Sequence, residues 1–174
     1  MAKYKPTYIT HYFRRGTEPF RSLSILQDEE AIELMRPLAD DSPFGERFKD
    51  PEGYLKNRRC SEAWVRNAFI KKGGTPQLPY PIYFVLGDSN WMVKISPDRS
   101  FHQEIHIKLD AFDEEDISFT YPDSMISYWL DHDRESQYSL PEFHGKVFTR
   151  SELLEIVDRK DNPELDWDCT LPFR

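Results

Sequence analysis

The sequence predicts an α+β fold: a single domain over residues 1–174, with a mainly antiparallel or mixed sheet packed by one long helix and two or three shorter ones. Three observations carry this expectation. Residues 50–86 read as a long capped helix, a glycine turn and a continuous apolar strand. Shorter β-branched and aromatic runs are spread along the chain without the strand–helix alternation of a βαβ fold. Aromatic residues make up 14% of the 174 positions, enough to fill a substantial core although 31% are charged.

Residues 8–13 form the first strand, which Arg14, Arg15 and Gly16 close. Pro19, Ser22 and Ser24 mark an irregular stretch. Residues 28–36 read as a short amphipathic helix with Ile32 and Met35 on one face and Asp28, Glu29 and Glu30 in the first turn. Pro37 ends or kinks it, and residues 40–45 are loop. Asp50 caps the long helix and Pro51 opens it, because the N–H that proline lacks would be unpaired there anyway. Gly73 supplies the left-handed residue that ends it, behind Lys71 and Lys72. At about 100° per residue, Tyr54, Leu55, Val65 and Phe69 share one face. Arg58 and Glu62 project from that same face, and Arg59 and Arg66 flank it.

Pro76, Pro79 and Pro81 then force an extended segment. Residues 82–86 read as a central strand covered on both faces, and residues 91–95 fit either a strand or a short helix. Further on, Gln103, Ile105, Ile107 and Leu109 alternate with His102, Glu104, His106 and Lys108, a half-buried strand with the second set toward solvent. Residues 117–121 and 145–148 read as two more strands. Between them Asp123 or Ser124 caps a helix through Trp129. Thr149 and Glu152 make a capping box, opening a helix with Leu153, Ile156 and Val157 inward. Leu165, Trp167, Cys169 and Leu171 alternate with polar residues as a closing strand. The total is five to seven strands and three or four helices.

Composition narrows the functional classes. The net charge of −8 argues against general nucleic-acid binding. It is unevenly spread: residues 1–75 hold 14 Lys and Arg against 11 Asp and Glu, a net of +3, and the remainder carries −11. The long helix lies in the basic part, which leaves room for a local anion site. No run is apolar enough for a transmembrane helix, and residues 1–6 lack the apolar stretch of a signal peptide. Cys60 and Cys169 are the only cysteines, read as free thiols of a cytoplasmic protein.

Several phrases carry a resemblance: Thr10-His11-Tyr12-Phe13, Tyr54-Leu55-Lys56-Asn57-Arg58-Arg59, Lys72-Gly73-Gly74, Asp116-Ile117-Ser118-Phe119-Thr120-Tyr121-Pro122-Asp123-Ser124-Met125 and His144-Gly145-Lys146-Val147-Phe148-Thr149. In these the chain resembles an uncharacterised bacterial protein family with no assigned activity. The resemblance implies a bacterial source and no catalytic residue.

The signatures of common catalytic sites are missing: there is no G-x-S-x-G elbow, P-loop, dinucleotide fingerprint or H-E-x-x-H helix. Gly73-Gly74 follows a helix instead of opening one, so it lacks the dipole that draws phosphate. His102, Glu104 and His106 are metal ligands in kind, but on one strand they span about 13 Å, too far for one ion. No metal and no cofactor is expected. Cys60 lies beside Arg58 and Arg59 but lacks a partner base, and it reads as an ordinary thiol.

Two sets of residues remain. His11 and Arg14 lie at the first strand, and strand-end His and Arg residues bind nucleotide anions in several enzyme folds. Arg59, Glu62 and Arg66 lie along the long helix. Together they suggest a pocket for a small anionic, nucleotide-like ligand, with His11, Arg14, Arg59 and Arg66 binding. If chemistry follows there, Glu62 is the general base and the arginines are charge stabilisers. The plain alternative for the helix cluster is a structural ion-pair network, and for His11 a sheet histidine. The rival function is a non-enzymatic interaction protein whose acidic C-terminal half, with Trp91, Tyr128 and Trp129 as its apolar patch, meets a basic partner.

Overall fold

The computed structural model describes residues 7–42, 44–132 and 140–158. Among these residues the sheet is three-stranded and antiparallel, in the order β2-β1-β3, with β1 (Tyr8–Arg14) in the middle, β2 (Val85–Leu86) on one side and β3 (His102–Lys108) on the other. Six α-helices accompany it among the described residues: α1 (Asp28–Met35), α2 (Leu38–Asp41), α3 (Pro51–Lys71), α4 (Asn90–Ile95), α5 (Ser124–His132) and α6 (Arg150–Asp158). The fold is α+β with one long helix, as the sequence predicts.

The register follows from alternation. Ile9 pairs with Ile107 and His11 with Ile105, so one sheet face collects Ile9, Leu109 and Ile117 under Phe84 and Phe112. Leu109 N–H donates to the Thr7 carbonyl and Arg15 N–H to the Phe101 carbonyl, both at 2.9 Å. These bonds fix which residues of β3 turn their backbones toward β1: Gln103, Ile105 and Ile107. The N-terminal half of α3 packs Leu55 on Ala31, Met35 and Phe48. Its C-terminal half packs Val65 and Phe69 on Val147.

The caps behave as their sequences indicate. Asp50 Oδ1 accepts the Gly53 N–H at 3.0 Å, and Gly73 takes φ 92° after the helix. Asp123 Oδ1 accepts the amides of Met125 and Ile126 at 2.9 Å, opening α5, which runs three residues past Trp129. Glu152 accepts the Thr149 N–H at 2.9 Å and Thr149 Oγ1 accepts the Glu152 N–H at 3.3 Å, completing the capping box of α6.

The structure corrects three expected strands and one expected loop, and decides one open alternative. Residues 82–86 do not form a central strand: β2 is a two-residue edge. Pro79 and Pro81 remove donors from the segment leading into the run, and the Tyr83 carbonyl is held by the His11 side chain instead of a neighbouring strand. Residues 117–121 and 145–148 reduce to one bridge, Phe119 to Phe148, with both N–H···O bonds at 2.8 Å. Residues 38–41, expected partly as loop, form α2, with Pro37 at its N-cap where a missing N–H costs nothing. Residues 91–95 are helical, since Ser89 Oγ accepts the Met92 N–H at 3.2 Å and starts α4. The expected strand at residues 165–171 lies outside the described residues, as does Cys169.

His102 also departs from expectation, because it is buried at 2% exposure rather than solvent-facing. It lies edge-on to Tyr12, and its Nδ1 has no hydrogen-bond partner. His144 is likewise buried; its Nδ1 accepts the Leu140 N–H at 2.8 Å, and its ring stacks on Tyr121. Desolvation lowers the pKa of both imidazoles from the ordinary 6.5. The unfolded chain therefore binds protons that the native chain refuses, and stability is lost as pH falls from about 6.5 through the lowered native values. The thermal midpoint is expected to drop between about pH 7 and about pH 5; a flat profile over that window would contradict the burial of these rings.

Candidate functional site

The α3 residues expected to form a site do so around a common object, the extended segment at residues 76–83. Arg66 Nε and Nη2 reach the carbonyls of Leu78 and Pro76 at 3.5 and 3.4 Å. The Arg59 guanidinium lies over the Tyr80 ring, 6.0 Å from its centroid. Its Nη2 donates to the Leu26 carbonyl at 2.8 Å, its Nε reaches the Ser24 carbonyl at 3.3 Å, and its Nη1 pairs with Asp28 at 2.5 Å.

Glu62 is the most deeply buried of the set, with its side chain 0% exposed. Arg58 Nε stands 2.9 Å from Glu62 Oε1, with the Arg58 side chain 17% exposed. This is an ion pair without an aligned hydrogen bond: neither Glu62 oxygen has one. The Arg58 N–H groups are directed elsewhere, Nε to Ser24 Oγ at 3.0 Å and Nη1 to Tyr54 Oη at 3.2 Å. The guanidinium also covers the Tyr83 ring at 4.8 Å, and Ser124 Oγ donates to the Tyr83 hydroxyl at 3.1 Å. Burial first, and then the Glu62 charge, push the Tyr83 phenol well above its usual range, so it stays a neutral hydroxyl.

His11 approaches the same tyrosine from the sheet. Its Nδ1 is 2.8 Å from the Tyr83 carbonyl, and its Nε2 accepts the Phe20 N–H at 2.9 Å. An acceptor at Nε2 requires the proton to sit on Nδ1, which then donates to Tyr83. The ring stacks on Phe20 at 4.8 Å, and Phe20 takes φ 61°, a left-handed conformation unfavourable for a residue with a Cβ. His11 thus ties β1 to both the 16–22 loop and the extended segment. Arg14 does not join the others. It is exposed at the end of β1, three positions on and so on the opposite sheet face from His11.

Residues 76–83 form no backbone–backbone hydrogen bonds among the described residues, and the α3 arginines and His11 hold their carbonyls instead. The segment is anchored at its start by the Thr75 N–H on the Glu115 carbonyl at 2.8 Å. Sequence reasoning placed Arg58 and Glu62 together but missed Tyr83, Ser24 and Ser124 around them. The signal for Tyr83 was the run of prolines, which takes it out of a ladder and frees it to face the helix.

Two surface depressions lie elsewhere. One of about 440 Å³ is lined by Tyr8, His106, Lys108 and Asp110, and one of about 470 Å³ by Arg36, Phe48 and Lys49. Neither is lined by His11, Arg14, Arg59, Glu62 or Arg66. Among the described residues, no three His, Cys, Asp or Glu side chains are placed to hold a metal ion. The aromatic patch proposed for a basic partner is divided: Trp91 packs on Phe44 and Tyr128 on Trp64, while Trp129 stays 44% exposed. Of the acidic run at 113–116, Glu114 is engaged, accepting the Ser151 N–H at 2.9 Å and pairing with Arg150. The run at 131–135 extends beyond the described residues.

Fold and side chains define an α+β protein with an arginine-lined helix under a proline-rich strap. No family model matches the chain, and neither a curated protein nor a solved structure matches it significantly. No helix among the described residues is long and apolar enough to cross a membrane.

Proposed function

We propose that the chain binds a small anionic, nucleotide-like ligand along the arginine row of α3, with Arg66 as the anchor and Arg59 as the second contact. The observation that supports this is the state of Arg66. It is half-buried and, among the described residues, makes no ion pair and is met by two carbonyls at 3.4 and 3.5 Å. A phosphate or carboxylate offers a guanidinium a shorter, charge-assisted and bidentate partner. Arg59 and Arg66 are seven residues apart, about 10 Å along the helix at 1.5 Å per residue, which suits an extended anion better than a single phosphate. The Tyr80 ring beside Arg59 offers a stacking surface for a base.

Glu62 in this reading is the counter-charge that fixes Arg58. General-base chemistry would need a ligand to reach a side chain with 0% exposure, so binding is favoured over catalysis. Cys60, free and exposed on α3, fits a reducing cytoplasm, where we place the protein.

The test is thermal unfolding in matched ionic strengths of chloride, phosphate, pyrophosphate and ATP. Pyrophosphate or ATP is expected to raise the wild-type midpoint, and Arg66→Gln to abolish the rise while leaving the unliganded midpoint nearly unchanged. If no anion moves the wild-type midpoint beyond chloride, the reading fails.

A further inference from the structure

The edge of the sheet carries an inference independent of the arginine row. Among the described residues β3 has one strand neighbour, β1, and β1 takes the backbone groups of Gln103, Ile105 and Ile107. The N–H and C=O groups of Glu104, His106 and Lys108 therefore point away from the sheet, and no hydrogen bond to any of them exists among the described residues. Natural edges of this length are usually blunted by proline, a bulge, an inward charge or charged side chains, of which β3 has the last alone, in Glu104 and Lys108. β3 spans seven residues, His-Gln-Glu-Ile-His-Ile-Lys, without proline or glycine, and it pairs with β1 residue for residue.

We propose that β3 is a self-association surface: two copies of the chain pair β3 antiparallel about a two-fold axis through His106, joining their sheets into one. The choice of occupant rests on charge and apolar complementarity. Outward-facing residues pair with outward-facing residues, so only registers that match even positions with even positions are allowed. With the axis at His106, each Glu104 faces the partner's Lys108, and each Ile105 faces the partner's Ile107. Lys108 is exposed and makes no ion pair among the described residues, while Glu104 already pairs with Arg99 Nη1 at 2.9 Å and would share its carboxylate with the partner's Lys108. Ile105 and Ile107 are both only half-buried. An axis at Glu104 would oppose the two Glu104 carboxylates. An axis at Ile105 would set Ile107 against Gln103 and put Lys108 against His102, which is buried. A single strand pairing is a small interface, so the dimer forms weakly and depends on concentration.

The test uses the full chain in sedimentation velocity over a concentration series, with hydrogen exchange at both ends of it. The expected result is a doubling of mass with rising concentration, and slowed exchange of the Glu104, His106 and Lys108 amides in the dimer. His106→Pro removes an outward N–H and no bond to β1, so it should keep the far-ultraviolet circular dichroism and stay monomeric. Lys108→Glu, which sets like charges together twice across the axis, should weaken association by about tenfold. Adding Glu104→Lys to Lys108→Glu should restore it, so the pairing can be judged even if His106→Pro fails to fold. A monomer at every concentration overturns the proposal, including one whose β3 amides are protected, since a segment of the same chain would then cover the edge. A dimer that the Lys108 change leaves intact overturns it as well, because association would use another surface.

Discussion

Replacing Glu62 with Gln is expected to cost about 3 kcal/mol of stability, the typical loss when one member of a buried pair is removed. Its side chain is 0% exposed and that of Arg58 is 17% exposed, so water compensates neither charge well. The carboxylate stands 2.9 Å from Arg58 Nε and beside the Tyr83 hydroxyl, so its contribution is chiefly the charge it sets against the guanidinium. Gln keeps the shape and removes the charge. It leaves a guanidinium with hydroxyl partners on Ser24 and Tyr54 and a ring beneath it, but no anion. The Gln amide nitrogen also brings a second donor toward a group that has only donors. Urea unfolding of the wild type, Glu62→Gln, Arg58→Met and the double variant checks this. The double variant should be more stable than the sum of the single losses predicts, because removing both charges leaves neither stranded. Simple additivity, or a Glu62→Gln protein as stable as the wild type, would mean that the two charges do not support each other.

The helices and the β1–β3 ladder were legible because local chemistry determines them. Asp50-Pro51, Gly73, Asp123, and Thr149 with Glu152 each satisfy groups within a few residues of themselves, and all act at the positions their sequence indicates. The alternation of residues 102–109 fixed one strand of a pair in the same way. What was not legible depended on partners far away in sequence. The apolar run at 82–86 has the composition of a central strand, yet three prolines before it and the His11 imidazole facing Tyr83 withdraw it from the ladder. His102 looked solvent-facing by alternation; burial against Tyr12 is a tertiary fact that alternation cannot contain. The charges on the apolar face of the long helix did announce a buried network. Its completion by Tyr83, Ser24 and Ser124 comes from three separate segments that the helical pattern does not reach.

Phe69→Ala is expected to lower stability by about 4 kcal/mol, within the usual range for truncating a buried aromatic ring. Phe69 is 3% exposed and packs with Val65 and Val147 where the end of α3 meets the segment before α6. Its ring also lies against Gly74, where an added Cβ would stand 2.5 Å from Phe69 Cδ1 and Cε1. That position does not need a left-handed backbone, unlike Gly73 at φ 92°, so the requirement for glycine is set by the ring alone. Gly74→Ala should consequently cost about 1–3 kcal/mol by overpacking in the wild type. In the Phe69→Ala background the obstacle is gone, and the same change should cost almost nothing. The corner carries more than packing. The Gly74 N–H donates to the Phe69 carbonyl at 3.0 Å, the next residue bonds Glu115, and the one after that offers its carbonyl to Arg66. Phe69 and Gly74 therefore set where the strap leaves the helix and where it meets the arginine row. Denaturant unfolding of the two single variants and the double variant measures the coupling directly. Equal Gly74→Ala losses in both backgrounds would show that the glycine is required for the backbone and not for the ring.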